Sequence, residues 1–230
     1  MLRENYLIKL SKMAMNSYYN DTLYPLQDKV LKLIDDLDTP FYLTGGTALS
    51  RCYLNHRYSD DLDLFVNDKP HFLKTIDSIL INLNKKFKVN VIIRSKSYAS
   101  LMINDILKVD FVNDVSFRYG KLEKKVIYSK VDNLENILSN KLSALISRDE
   151  TKDVVDILMI SKKIKVNWKK IFSDVNSKAV GIFPIDVSRR LIDFPVEMID
   201  LIKWTDCIKY NVKSFKTDIG LLCDSILKIT

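Results

Sequence analysis

The chain has 230 residues and a mass of 26.7 kDa, enough to bury a substantial core as one large domain or two small ones. Its 47% hydrophobic content and mean hydropathy of −0.04 are those of an ordinary soluble protein, and no apolar run approaches the ~20 residues of a membrane span. The net charge of +7 and pI near 9.1 favour a polyanionic partner, although a lysine-rich coat alone yields the same balance. Arg3, Glu4 and Lys9 interrupt the first apolar residues too early for a secretory signal, which predicts a cytoplasmic protein. Cys52, Cys207 and Cys223 are odd in number and scattered, which argues against a disulfide framework or a zinc ligand set.

In chain order, apolar spacing predicts a helix over 3–19 and a second from Pro25 to Leu37, broken by Asp38-Thr39-Pro40. Phe41-Tyr42-Leu43 reads as a short buried strand running into Gly45-Gly46, and Thr47–Leu54 as the helix that follows. Leu62–Val66 is a strand closed by Asn67-Asp68-Lys69-Pro70, and His71–Leu83 a helix. Strands are expected over 87–94, 98–103 and 106–112, antiparallel because their connections are short, and a further one at Val126–Tyr128. From Asn133 the period turns helical, with helices around 134–146, 154–159, after Trp168, at 195–204 and at 214–228. The expected fold class is α/β (α+β): a mixed-sheet core with N-terminal helices over 1–130, then a helical domain over 131–230 that contributes to the active-site cleft.

Chemistry concentrates in Thr44-Gly45-Gly46-Thr47-Ala48-Leu49 and Asp60-Asp61-Leu62-Asp63-Leu64-Phe65. Side chains alternate along a strand, so Asp61 and Asp63 project from one face. Like charges so placed repel unless neutralised, and a hard divalent cation is the usual resident. Gly45 and Gly46 let backbone N–H groups approach a ligand, at a helix start that favours anions. Asp110, between Val109 and Phe111, is the candidate third carboxylate. Asp60 points to the opposite face as a helix or loop partner, and Asp105 and Asp114 read as turn residues. Thr47 suits either an N-cap or a phosphate contact.

These blocks, with Leu107-Lys108-Val109-Asp110-Phe111-Val112, Lys141-Leu142-Ser143-Ala144-Leu145, Arg148 and Lys152-Asp153-Val154-Val155-Asp156, resemble the nucleotidyltransferase superfamily. Within it the chain is most similar to the AbiEii/AbiGii abortive-infection toxin family, over roughly residues 40 to 160. The resemblance implies Asp61, Asp63 and Asp110 as catalytic metal ligands and Asp153 as a further catalytic residue. Gly45, Gly46, Thr47, Lys141 and Arg148 would bind the nucleotide. Lys141 is otherwise a solvated surface lysine, and Asp153 and Asp156 a capping and salt-bridge cluster. His56 and Arg57 read as loop surface or as a phosphate contact.

The implied activity is Mg²⁺-dependent transfer of a nucleoside monophosphate from an NTP, with two ions accommodated and Mn²⁺ able to substitute. Candidate acceptors are tRNA or other RNA, with a protein or small molecule as the alternative and nucleotide binding without turnover as another. A neutralising antitoxin is an implied partner. Lys162, Lys163, Lys165, Lys169, Lys170, Arg189 and Arg190, interleaved with Trp168 and Phe172, are either an RNA-binding face or a lysine coat over core aromatics.

Overall fold

The computed structural model describes residue 10, residues 12–115 and residues 118–229. The predicted 3–19 helix lies largely outside these, but residues 12–17 are helical. They run through a π-helical turn, Tyr18–Leu23, into helix α1 (Tyr24–Asp36), whose second residue is Pro25.

Strand β1 (Tyr42–Thr44) enters helix α2 (Gly45–Leu49), which continues as a π-helical turn, Ser50–Leu54. Strand β2 (Leu62–Asn67) and helix α3 (Phe72–Leu83) follow. Strands β3 (Val89–Arg94), β4 (Tyr98–Ile103) and β5 (Leu107–Asp114) complete a five-stranded sheet of order β1-β2-β5-β4-β3. As expected, β3, β4 and β5 pair antiparallel; β2 pairs parallel with β5, making the sheet mixed. Asn104 and Asp105, both at positive φ, form the tight turn between β4 and β5.

The sheet has one apolar and one polar face, because β2 and β5 alternate. Leu62, Leu64, Val66, Leu107, Val109 and Phe111 are buried on one side. There Phe41 meets Phe72 of α3 and Phe111 of β5, at ring separations of 5.9 and 5.0 Å. Asp63 and Asp110 occupy the intervening positions and face the other way. The expected strand at Val126–Tyr128 is instead a turn: Lys125 N donates to Tyr128 O (3.0 Å), and pairing falls on the flanking Glu123 and Val131. Val131 then lies beside Leu43, tying the helical half to β1.

Helices α4 (Leu134–Ser147), α5 (Thr151–Lys163), α6 (Trp168–Lys178), α7 (Pro184–Ile192) and α8 (Val212–Leu227) follow, with a 3₁₀ turn at Val196–Leu201. Buried apolar side chains from both halves form one contiguous core. Trp168 and Phe172 belong to it, and the Trp168 indole N–H donates to Ser225 Oγ at 3.1 Å. Neither ring is open to a base. Of the surrounding cations, Lys162 pairs with Asp218 (2.6 Å), Lys170 with Glu135 (2.5 Å) and Arg190 with Asp149 (2.6 Å). The two aromatics are core, as the coat-over-core reading expects. Among the described residues no helix is long and apolar enough to cross a membrane.

Candidate active site

Register across the sheet aligns Thr44 with Asp63, Asp63 with Asp110, and Asp110 with Ser100. Aligned residues share a face, so these four form a row across four strands. Asp61 stands two residues before Asp63, on the same side. The row opens on a cleft of about 640 Å³, within the range of small-molecule sites. The opposite wall is α4, through Ile137, Asn140, Lys141 and Ala144, and Arg148, Lys152 and Lys178 rim it.

The diglycine is required by crowding inside the protein. Gly45 has φ +67°, and a Cβ there would lie 2.2 Å from Asp63 Oδ2. A Cβ on Gly46 would lie 2.8 Å from Arg57 Nη2 and 2.9 Å from Ser59 Oγ. Removing both side chains lets the start of α2 press against the carboxylate row. Thr47 is not the N-cap, which is Thr44; it is fully buried, and its hydroxyl donates to the Asp61 carbonyl. Its place is that of a brace behind the cleft wall.

Behind the other wall lies a buried set of compensated charges. Lys141 Nζ is 2.7 Å from both Asp153 Oδ1 and Asp156 Oδ2. Arg57 grips Asp156 with two nitrogens, at 2.7 and 2.8 Å, and His56 Nε2 lies 2.8 Å from the same carboxylate. Arg148 Nε and Nη2 reach Asp153 at 2.8 and 3.1 Å. Burial would raise both carboxyls, but Arg57 and Lys141 hold Asp156 well below the usual range, and Lys141 and Arg148 hold Asp153 below it. Burial would likewise lower Lys141, yet Asp156 and Asp153 raise it. Burial dominates at His56 and lowers it. Lys141 is thus neither solvated nor surface, and Asp153 turns both oxygens inward.

The sheet side is the electrostatic opposite. Among the described residues, no side chain donates to the Asp61 or Asp63 carboxylate. Burial is the main cause that raises both, with Asp110 adding repulsion; Lys108 partly offsets it at Asp61, and Lys141 does so at Asp63. Asp110 accepts from Ser100 Oγ (2.6 Å) and from Lys108 Nζ (2.6 Å). Asp60 lines the edge of the cleft, its carboxylate paired with Lys203 at 2.8 Å and with the Tyr19 hydroxyl.

The structure therefore brings Gly45, Gly46, Asp61, Asp63, Asp110, Lys141 and Arg148 onto one cleft, and leaves Thr47 and Asp153 behind its wall. Lys108, Ser59, Asn140 and Lys178 also line the cleft without a motif that marks them, and Arg57, expected first as loop surface, joins them. Strand alternation alone puts Lys108 on the face of Asp110; no local signal marks the others.

A hard divalent cation suits this donor set, since carboxylate oxygens of one sign face a cleft with little compensation. Among the described residues, no three of His, Cys, Asp and Glu are gathered tightly enough to enclose an ion. Asp110 is hydrogen-bonded to Ser100 and Lys108.

No curated protein sequence matches the chain. Among solved structures it is similar to JHP933 from Helicobacter pylori, with 20% identity and a TM-score of 0.57 over 88% of this chain and 90% of that one. It is also similar to a putative nucleotidyltransferase from H. pylori, with 20% identity and a TM-score of 0.58 over 88% and 93%. At that identity the likeness shows the fold. The sequence profile described as "Nucleotidyl transferase AbiEii toxin, Type IV TA system" matches residues 31–179, which include the glycine turn, the carboxylate row and the buried charge cluster. The chain belongs to the AbiEii nucleotidyltransferase toxin family.

Proposed function

We propose that the protein is a divalent-cation-dependent nucleotidyltransferase of the cytoplasm that moves a nucleoside monophosphate from an NTP to an RNA acceptor, tRNA first among candidates. The observation that carries this is the row of under-compensated carboxylates facing a cationic wall across a cleft of nucleotide size. The +7 net charge supports a nucleic-acid acceptor, and the family supports a toxin activity countered by an antitoxin.

In this reading the acceptor hydroxyl oxygen bonds to the α-phosphorus, the bond from that phosphorus to its bridging oxygen breaks, and pyrophosphate leaves. Asp61, Asp63 and Asp110 would hold Mg²⁺, as one or two ions with Mn²⁺ able to substitute. The bound cation supplies acidification of the hydroxyl and neutralisation of the leaving group. The family resemblance implies that Asp110 would be the carboxylate nearest the acceptor hydroxyl and would take its proton once an oxygen is released from Lys108. Gly45 and Gly46 form the floor beneath the phosphates, and Arg148, half exposed on the rim, reaches them. Lys141 faces the same space with its ammonium fixed by two carboxylates. Asp153 is a positioning residue that orients Lys141 and Arg148.

The test is incubation with Mg²⁺, each labelled NTP, and either total RNA or protein. Label passes to RNA with the unmodified chain, and Asp63→Asn or Asp110→Asn lowers the rate at least about a thousandfold. Label on protein would shift the acceptor class. Binding of NTP without transfer to either would sink the enzymatic reading.

A further inference from the structure

Among the described residues, Lys108 is the cation that reaches the carboxylate row from the sheet itself. It stands two residues before Asp110 on β5, so both side chains leave the same face. Its ammonium sits 2.6 Å from Asp110 Oδ2, while Ser100 Oγ holds Oδ1 at 2.6 Å. Both oxygens of Asp110 are thereby occupied by protein donors. Asp61 and Asp63 receive no such donor among the described residues. The row thus divides into an open pair and a closed single carboxylate.

The lysine that closes it can move. Its side chain is 38% exposed on the cleft, and an ammonium on a four-carbon stem is a mobile point charge. Arg57 and Lys141 also line the cleft, but each is held in a buried carboxylate pair and cannot leave without stranding a charge. Ser100 does not compete with a cation in the same way, because a hydroxyl can keep donating to one carboxylate oxygen while the other takes an ion.

We propose that Lys108 couples nucleotide entry to completion of the metal set. In the nucleotide-free cleft its ammonium is the countercharge of Asp110 and confines a divalent cation to Asp61 and Asp63. The triphosphate draws the ammonium onto its own oxygens, a charge-assisted contact of the same strength class, and frees Asp110 for a second cation. Lys108 is therefore a nucleotide-binding residue as well as a guard. The order follows that nucleotide precedes the second ion. This inference rests on the metal-dependent reading above.

Mn²⁺ bound to the purified full chain without nucleotide, counted by electron paramagnetic resonance, tests it independently of turnover. The native protein binds one ion, Lys108→Met binds two, and Lys108→Arg, which keeps a cation, returns to one. In parallel, Lys108→Met weakens binding of an α,β-methylene triphosphate analogue about tenfold. Two ions on the native protein without nucleotide, or identical ion counts and analogue affinity in Lys108→Met, would overturn the coupling and leave the metal reading intact. No ion on the native protein or on Lys108→Met would overturn both.

Discussion

Two clusters of charge, on facing walls of one cleft, have opposite electrostatics. On the helical side, Asp153 and Asp156 are buried but meet Lys141, Arg57, Arg148 and His56 at 2.7 to 3.1 Å. On the sheet side, burial chiefly, with repulsion from Asp110 added, raises Asp61 and Asp63, which meet no donor among the described residues. A buried charge with its partners in place is architecture. A group of like charges without partners stores unfavourable energy, which a ligand of opposite charge relieves. The first cluster makes one wall rigid, and the second leaves the other wall ready to bind.

The largest effect should come from breaking the compensated cluster. Asp156→Ala leaves Arg57 without its carboxylate partner and Lys141 with one of two, in a buried site, and should cost about 3–5 kcal/mol in chemical denaturation. A loss below about 1 kcal/mol would mean that the cluster is wetter than its burial indicates.

Next is the point where the backbone meets the carboxylate row. Gly45→Ala places a Cβ at positive φ and into Asp63. Backbone strain alone should cost about 1–2 kcal/mol, and displacement of Asp63 should remove transfer activity. An active, equally stable Gly45→Ala protein would show that the close approach of α2 to β2 is dispensable.

The smallest effect has the opposite sign. Asp63→Asn removes repulsion, so the metal-free variant should melt a few degrees higher at pH 7 than the native chain. The sign follows from linkage: burial and neighbouring carboxylates raise the folded-state pKa, so stability is greatest below the unfolded carboxyl value and declines as pH rises through the folded one. The advantage of the variant should therefore shrink as pH falls and the native carboxyl takes up its proton. Asp153 and Asp156, held low, behave in reverse and lose their stabilisation as pH falls. Melting curves across pH 4 to 8 separate the two contributions, and a constant difference across that range would contradict the assignment.

Much of the active wall was legible from local pattern. Strand alternation placed Asp61 and Asp63 on one face, and the same rule placed Asp110 opposite Val109 and Phe111. The glycine pair marked the turn into α2, and its packing against Asp63, Arg57 and Ser59 was not readable from the local pattern. Asn104-Asp105 between β4 and β5 supplied the turn chemistry that made antiparallel pairing readable.

The amino-acid sequence by itself thus determined the five strands of the sheet, the shared face of Asp61 and Asp63, and the order of the blocks that carry the family. Such properties follow from periods of two or a few residues along the chain. Tertiary structure alone decided that Lys141 is buried, that Arg57 and His56 are bound to a residue about a hundred positions away, and that Trp168 and Phe172 are core. It also decided which carboxylates meet protein donors and which do not. Whether a charge is compensated depends on what long-range packing brings within 3 Å of it, and no local spacing records that distance.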